Sequence, residues 1–443
     1  MKSTISPILL ILLFAFFSCS NDVEVALDND TGTVENPDSN QSSNPNILLI
    51  IADDLGLDAT PSFNVGTTKP NMPNLQNMIN NGVRFTNMWS YPTCTPTRSS
   101  ILTGKYGFRT GVMKVDDELS TGETSLQKYL DTQNSGYAHA VVGKWHLSRT
   151  ATHPEQMGVG YYAGLLSGGV QSYTNWNFTE NGQTTTSNEY TTSKFTDLAI
   201  DWVGNQEKPW FLWLAYNAPH TPFHLPPNDL HSQGNLPSDE ASIEANPLPY
   251  YMAMIEAMDT EIGRLLDSLS EEERENTVII FIGDNGTPNS VAQEYRNRRT
   301  KGTVYQGGVN VPMIISGKNV SRFNETDNHL LNTTDLFATI ASIAGVNTTS
   351  WNDSKSFKDL LSLSTTTNSR DYAYTEIGKD TGGEDYTIRN ATHKYIKFVN
   401  GEEALYNLSI DFFENTNLLD TNLSTEDQEQ LDNLQQIHSD LKQ

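Results

Sequence analysis

Ile47-Leu48-Leu49-Ile50-Ile51 runs into Ala52-Asp53-Asp54-Leu55-Gly56: five large apolar residues without a polar break, closed by two adjacent carboxylates. A half-exposed strand alternates apolar and polar residues. A short continuous run therefore reads as a strand buried on both faces, the kind found in parallel sheets covered by helices. Three further stretches repeat the pattern. Ala138-His139-Ala140-Val141-Val142 ends in Gly143-Lys144-Trp145-His146, Trp210 to Tyr216 ends in Asn217-Ala218-Pro219-His220, and Val278 to Ile282 ends in Gly283-Asp284-Asn285-Gly286. Ligands of open parallel sheets sit outside the carboxyl ends of the strands, so the four polar clusters can converge on one site.

The covering helices are visible too. Residues 250–269 set Ile255, Met258, Ile262, Leu265, Leu266 and Leu269 on one stripe, with Glu256, Asp259, Glu261 and Arg264 predicted to face water. Residues 334–344 do the same with Leu336, Phe337, Ile340 and Ile343, stopped by Gly345, and Leu75 to Ile79 starts another helix. The prediction is an α/β fold over residues 46–346, with a mainly parallel central sheet sandwiched by helices. Past residue 347, Tyr372 to Ile377, Tyr386 to Arg389 and Lys394 to Phe398 read as short strands and Thr425 to Leu441 as a polar helix. They predict a small C-terminal subdomain, 347–443, with a short antiparallel sheet and a helix. Residues 170–194 and 223–249 carry neither period and read as long loops that shape a pocket or decorate the surface.

A formal net charge of −26 over 443 residues argues against nucleic-acid binding and against a general polyanion-binding surface. An anionic ligand would need a locally basic pocket. At the N-terminus, Lys2 precedes an apolar run from Ile8 to Phe17 that is too short for a membrane span and ends at Ser18-Cys19-Ser20. Residues 1–19 resemble a bacterial lipoprotein signal with Cys19 as the lipidated residue, and residues 20–45 read as a polar tether. The expectation is an exported chain held to the outer membrane by its lipid alone, or secreted if Cys19 is not lipidated. The only other cysteine is Cys94, in Tyr91-Pro92-Thr93-Cys94-Thr95-Pro96-Thr97-Arg98. With no disulfide partner it is either a small buried hydrophobe or a residue whose chemistry is wanted.

Asp53, Asp54 and Asp284 supply carboxylates and Asn285 an amide carbonyl. Adjacent carboxylates at a buried strand end repel unless a cation lies between them, and an all-oxygen set selects Ca²⁺ or Mg²⁺ over zinc. The alternative is a helix cap at Asp53-Asp54 and a turn at Asp284-Asn285-Gly286. Lys144, His146, His220 and Lys301, with Arg98 beside the thiol, form a second group that suits a tetrahedral oxyanion. Two of them could protonate a leaving group.

Asp53-Asp54, Cys94-x-Pro96-x-Arg98 with Leu102-Thr103-Gly104, Gly143-Lys144-Trp145-His146-Leu147, Pro219-His220, Gly283-Asp284-Asn285-Gly286 and Lys301-Gly302 to Pro312 resemble, in order, the motifs of the type I sulfatases. These are formylglycine-dependent members of the alkaline-phosphatase superfamily. Leu405-Tyr406-Asn407-Leu408 through Asp411, Glu414 and Asn417-Leu418 is similar to the family's C-terminal signature. Gln306 and Asn310 depart from it, standing where the family usually has Glu and Arg, a change that bears on the pocket wall.

The resemblance implies that a maturation enzyme oxidises Cys94 to formylglycine (3-oxoalanine). One hydroxyl of its hydrate would attack sulfur, polarised by a Ca²⁺ or Mg²⁺ ion held by Asp53, Asp54, Asp284, Asn285 and residue 94. Lys144 and Lys301 would neutralise the sulfuryl oxygens, and His220, with Lys301, would protonate the departing alcohol. The second hydroxyl, helped by His146, would expel sulfate, with Arg98 orienting residue 94. The implied substrate is a sulfated polysaccharide or its oligosaccharides, of ulvan, carrageenan, fucoidan or glycosaminoglycan type. Arg296, Arg298 and Arg299 could reach a uronate or a second sulfate, or form a solvated basic turn; His224 and Tyr173 are candidates for the pocket rim. The rival readings are a phosphodiesterase or phosphonate monoester hydrolase of the same superfamily, and a catalytically dead glycan-binding lipoprotein.

Overall fold

The apolar runs are strands of one large sheet. The computed structural model describes residues 44–368 and 370–443; the leader with Cys19 and the tether up to residue 43 lie outside them. In chain order the strands are β1 (Asn46–Ala52), β2 (Gly82–Trp89), β3 (Ala138–Lys144), β4 (Tyr161–Leu165), β5 (Trp176–Glu180), β6 (Gln183–Ser187), β7 (Trp210–Ala215), β8 (Thr277–Gly283), β9 (Asn310–Gly317), β10 (Glu325–Asp327) and β11 (Leu331–Asn332). They lie in the order β10-β2-β9-β8-β1-β7-β3-β4-β5-β6, with β11 beside β2. The centre, β8-β1-β7-β3-β4, is parallel. β9 runs antiparallel to β8 and β2.

Both faces are covered, as uninterrupted apolar runs require. Ile47, Leu49 and Ile51 point into a core with Leu336, Phe337 and Ile340 of the helix Asp335–Ile343. Leu48, Ile50 and Ala52 point into a second core with Phe195 and Ala199 of the helix Thr191–Val203 and Ile255, Met258 and Ile262 of the helix Leu248–Ser268. Each fully buried Leu or Ile contributes about 1.5–3 kcal/mol, so both faces resist a polar substitution. The pairings Ala52↔Gly283, Ile51↔Ala215 and Gly143↔Ala215 bring the carboxyl ends of β1, β8, β7 and β3 level. Gly143, at φ +103°, sustains this approach: a Cβ there would lie 2.0 Å from the Ala215 carbonyl oxygen.

Two expectations need correction. Of the four polar residues predicted to face water on the helix Leu248–Ser268, Glu256, Asp259 and Glu261 are buried and only Arg264 is exposed. Other segments cover that face and use the carboxylates as acceptors. Asp259 caps the helix Pro73–Asn80 by accepting from the Asn74 and Leu75 amides at 3.0 and 2.8 Å, and Glu256 accepts from the Asn71 and Ser232 amides. Residues 170–194 are not one long loop. They contain the β5–β6 hairpin, which extends the sheet edge and turns through Asn181-Gly182, both at positive φ. The helix Thr191–Val203 starts directly afterwards. Residues 223–249 stay largely irregular, with one short helix, Glu240–Ala245.

After the two-residue pair β12 (Ser350–Trp351) and β13 (Ser354–Lys355), the predicted small sheet appears as β14 (Ala373–Gly378), β15 (Glu384–Arg389), β16 (His393–Lys397) and β17 (Glu403–Asn407), all antiparallel. The helix Thr425–Leu441 lays Leu431 and Leu434 over Tyr374, Ile388, Tyr395 and Leu405, in a core shared with Tyr91 and Tyr106. The described residues belong to one compact unit, and none of their helices is long and apolar enough to cross a membrane.

Candidate active site

The level strand ends deliver the polar clusters to one rim. Asp53 and Asp54 follow β1, Asp284 and Asn285 follow β8, Lys144 closes β3, and His220 lies beyond β7. Cys94 arrives separately, as the first residue of the helix Cys94–Thr103, where unpaired backbone amides favour negative charge. Ligand atoms of Asp53, Asp54, Cys94 and His220 all lie within 4.8 Å of one another.

Three carboxylates face three cations. Lys144 Nζ reaches Asp53 Oδ2 at 2.5 Å, Lys301 Nζ reaches Asp54 Oδ1 at 2.5 Å, and an Arg98 nitrogen reaches Asp284 Oδ2 at 2.8 Å. The second terminal nitrogen of Arg98 donates to the Lys144 carbonyl at 2.7 Å, so this buried guanidinium ties β3 to the end of β8. Asp284 Oδ1 accepts from the Asp54 amide at 3.0 Å, and the Asn285 amide nitrogen donates to Asp54 Oδ1 at 2.8 Å.

The environment drives these groups apart in acidity. Burial works against the Asp54 charge, but Lys301, His220 and Lys144 outweigh it and hold the carboxyl at about 2. Burial and the neighbouring Asp53 push Asp284 up to about 6, against the pull of Arg98 and Lys144. Burial also opposes the Lys301 charge, yet Asp54 raises that ammonium above its ordinary value. Burial, then Lys144 and Lys301, bring His220 down to about 4 in spite of Asp54. Burial, with Lys144 and Arg98, keeps His146 neutral. Burial and Asp53 push the Cys94 thiol far up, so as a thiol it stays protonated and a poor nucleophile.

The donor set fits a hard divalent ion. Asp53 Oδ1 and Asn285 Oδ1 are buried with no hydrogen-bond partner among the described residues. Leaving each such acceptor unpaired costs about 1–3 kcal/mol. Both are oxygens, as Ca²⁺ or Mg²⁺ requires, and Asp54 and Asp284 stand beside them. His220 was not expected in this set. Its Nδ1 faces the Thr221 carbonyl at 2.8 Å and so carries the proton, leaving the Nε2 lone pair 3.9 Å from Asp54 Oδ2. Two acceptors so placed call for a proton or a cation between them.

Asp116 is a contributor that sequence reasoning missed. One of its oxygens accepts from His146 Nε2 at 3.0 Å and the other from Arg149 at 3.0 Å. A carboxylate can only accept there, so Nε2 carries the proton and Nδ1, buried and unpartnered among the described residues, is left as a base. His146 and Asp116 both have left-handed backbone, at φ +55° and +65°. The loop Ser167-Gly168-Gly169 closes over the histidines; a Cβ on Gly168 would stand 2.5 Å from the His146 ring. No pattern in the sequence marks Asp116 or this loop.

The outer candidates lie elsewhere. The His224 ring stacks on Tyr173 with centroids 4.1 Å apart, and its nitrogens face Pro222 O and the Tyr190 hydroxyl, so it braces a loop instead of lining the rim. Tyr173 is buried; its hydroxyl donates to the carbonyls of Asn217 and His220 and fixes the turn that carries His220. Arg299 donates to the Glu414 carbonyl and lies 4.3 Å over the Tyr305 ring, which joins it to the C-terminal sheet. Arg296 and Arg298 are exposed, Arg296 beside Phe413 and Asn415. No contact among the described residues links these arginines to the acid cluster. Gln306 and Asn310 sit at the seam with the C-terminal sheet, where the Gln306 amide donates to Glu414 and the Asn310 side chain to the Thr86 carbonyl.

Comparison with known proteins agrees with this arrangement. The family model described as Sulfatase matches residues 45–346, and one described as N-sulphoglucosamine sulphohydrolase, C-terminal, matches residues 297–440. Relatives include the uncharacterized sulfatase YdeN of Escherichia coli, 27% identical over 365 residues, covering 68% of this chain and 63% of that one. The ulvan-active sulfatase of Formosa agariphila is 26% identical over 449 residues, covering 95% and 84%. The chain spans 59–65% of the length of the first several curated relatives. Among solved structures, Ps i-CgsB in complex with k-i-k-neocarrahexaose superposes with a TM-score of 0.73 at 24% identity, covering 85% of this chain and 89% of that one. A protein solved with its substrate D-glucosamine-2-N,6-O-disulfate gives 0.74 at 21% identity, covering 90% and 98%; both likenesses establish the shared fold. With the Sulfatase model covering two thirds of its length, the chain belongs to the sulfatase family.

Proposed function

We propose that the protein hydrolyses sulfate esters on a carbohydrate, a sulfated polysaccharide or the oligosaccharides cut from it. One observation carries the reading: a charge-balanced set of three carboxylates and three cations, with two acceptors left over, stands beside the buried Cys94. When bound, a divalent ion at Asp53, Asp54, Asp284 and Asn285 would supply the Lewis acidity that neutralises sulfuryl oxygens and polarises the attacking oxygen. Oxidation of Cys94 to formylglycine would replace an inert thiol by a hydrated aldehyde able to expel sulfate, which a sulfated serine or thiol cannot do.

The chain's own residues do the rest. The rim set is neutral by itself, so a divalent ion turns it positive and lets it attract an anion despite the acidic surface. Lys144 and Lys301 hold the sulfuryl oxygens, a preorganised stabilisation that needs no reorganisation during reaction. Arg98, fixed at both ends, orients residue 94 from the next turn of its helix. His220, its Nδ1 proton held by the Thr221 carbonyl, would use Nε2 as the acid toward the leaving alcohol, and a bound anion offsets the Lys144 and Lys301 charges that oppose its protonation. Lys301, already protonated, can share that task. His146, with its proton fixed on Nε2 by Asp116, presents Nδ1 as the base that assists sulfate release.

The Formosa relative, described as ulvan-active and matched over most of both chains, supports a polysaccharide substrate. Export with lipidation at Cys19 belongs to the same proposal; a Cys19→Ser chain that still incorporates labelled palmitate would refute the anchor. The catalytic reading is tested by assaying an aryl sulfate beside an aryl phosphodiester and by peptide mass analysis of residue 94 in protein from its native host. Sulfate release together with an oxidised residue 94 is expected. Preference for the phosphodiester by orders of magnitude would move the protein to the phosphodiesterases of the superfamily, and an intact thiol without turnover would leave a binding protein.

A further inference from the structure

A groove of about 570 Å³ lies between residues 166–171 and one face of the β5–β6 hairpin. A smaller cavity of about 170 Å³ adjoins it, lined by His146 and by the acids Asp116, Asp117 and Glu118; Arg149 and Leu166 line both. The larger volume falls in the range of about 300–1,000 Å³ typical of ligand sites. Its hairpin wall is a polar ladder: Asn177 pairs across the strands with Thr186, and Thr179 with Thr184. Same-face residues two apart on a strand are about 7 Å from each other, close to the reach of one pyranose ring. Asn177, Thr184 and Thr186 are exposed, and the Thr179 and Thr184 hydroxyls bond each other at 2.8 Å.

Charge narrows the choice of ligand. The chain has 54 Asp and Glu among 443 residues, yet none of the groove's twelve lining residues carries a carboxylate, and one, Arg149, is a cation. Arg149 places one nitrogen on Asp116 while its side chain is 76% exposed, which leaves donors for a second acceptor. Hydroxyl and amide side chains without acids suit a polyhydroxyl ligand that carries negative charge. A peptide strand would instead find the facing β6 side chains polar and no apolar pockets for alternate residues.

We propose that this groove is a chain-binding subsite: it takes the sugar residues adjoining the one whose ester reacts at the acid cluster, and Arg149 receives a second sulfate or carboxylate on that chain. The inference rests on the sulfatase reading of the acid cluster and adds where the neighbouring sugars of the chain are held and which side chain receives their second anionic group.

The test compares 4-nitrophenyl sulfate with whichever sulfated oligosaccharide from ulvan, carrageenan, fucoidan or heparan sulfate the wild-type enzyme desulfates fastest. The ratio of their kcat/KM values is measured for wild type, Asn177→Ala/Thr186→Ala, Thr186→Trp to fill the groove, and Thr185→Ala on the opposite hairpin face. Losing two hydrogen bonds should lower the oligosaccharide-to-aryl ratio about tenfold in the double variant. Thr186→Trp should lower it further, and Thr185→Ala should leave it at the wild-type value. All substituted side chains are exposed, and aryl sulfate turnover reports that each variant is folded. An unchanged ratio in both groove variants overturns the proposal, as does turnover of aryl sulfate with no oligosaccharide accepted. Failure to release sulfate from any ester would instead remove the sulfatase reading, and the subsite with it.

Discussion

Two of the regions that bury charge, the strand ends and the seam between the two sheets, are built on different plans. At the strand ends, Asp53, Asp54 and Asp284 meet Lys144, Lys301 and Arg98, and acceptor oxygens on Asp53 and Asn285 remain unmatched. At the seam between the two sheets, Lys394 of β16 meets Glu414 at 2.6 Å, with the Lys394 ammonium 5.1 Å over the Trp89 ring, the Gln306 backbone amide on Glu414, and Arg299 on the Glu414 carbonyl. The seam pair is fully buried, whereas the strand-end set includes Lys301 and His220, each 21% exposed. Desolvation can cancel most of the Coulomb gain of a buried pair, so burial of charge does not by itself mark a working site. The convergence of ligand atoms does: those of Asp53, Asp54, Cys94 and His220 lie within 4.8 Å of one another, whereas the seam holds the single carboxylate of Glu414.

If that distinction is right, removing chemistry from the rim abolishes activity and spares the fold, while breaking the seam does the reverse. Cys94→Ala should lower turnover of an aryl sulfate by at least about 10⁴-fold, or ~5.5 kcal/mol of barrier. Its stability should stay within about 2 kcal/mol of wild type. Retained turnover would deny residue 94 any part in the reaction. Lys394→Met should cost about 3–5 kcal/mol in urea unfolding at pH 7, since it takes the ion-pair partner from a buried carboxylate, and should leave kcat of the folded enzyme unchanged. Burial already raises Glu414, and losing Lys394 raises it further above its unfolded value. The penalty therefore exists above that raised value and fades as pH falls toward the ordinary carboxylate range. Equal destabilisation at pH 7 and pH 5 would contradict this origin.

Metal sharpens the same contrast. Asp284 is raised to about 6, above its unfolded value, so without a cation its ionisation destabilises the fold at neutral pH and ceases to do so in acid. Ca²⁺ at about 100 times its dissociation constant should add about 2.7 kcal/mol to the metal-depleted protein at pH 7.5. The gain should shrink as pH falls through about 6, when Asp284 takes up a proton. Thermal melts at pH 7.5 and pH 5, with and without Ca²⁺ or Mg²⁺, read it directly. A melt unmoved by either ion at pH 7.5 would leave the unmatched oxygens unexplained.

How much of this the sequence carried depended on whether the signal was local. Ile47–Ile51 and Val278–Ile282 declare buried strands by composition, and the residues just beyond a parallel strand have one place to go. Asp53, Asp284, Lys144 and His220 could thus be grouped before any coordinates. The β5–β6 hairpin could not be read by hydrophobic period, because Gln183–Thr186 is an exposed edge of Gln and Thr; its one mark was the Asn181-Gly182 turn. Phe195, Ala199 and Val203, four apart on the helix Thr191–Val203, do form a stripe legible in the sequence. The burial of Glu256 and Asp259 was invisible because the donors that satisfy them arrive from residues far away in the chain. Arg299 and His224 looked available only because their partners, Glu414 and Tyr190, are equally remote.

Asp116 is the extreme of that second class, and it gives the smallest and most discriminating prediction. Among the described residues its side chain touches only His146 and Arg149, and it is half exposed, so little of the fold depends on it. Asp116→Asn keeps the shape but presents a donor as readily as an acceptor, so it no longer dictates which His146 nitrogen carries the proton. The fraction of His146 with a free Nδ1 falls, and with it the step that needs a base there. Replacing partners of this kind lowers activity by about 10–100-fold. The loss should appear in kcat with KM and melting temperature near wild type, and Asp116→Glu, which restores an acceptor, should recover part of it. Arg149→Ala should be milder on aryl sulfate, since the carboxylate it steadies is still present. A loss confined to KM would place Asp116 in substrate binding, and a matching fall in melting temperature would make its contact with His146 structural.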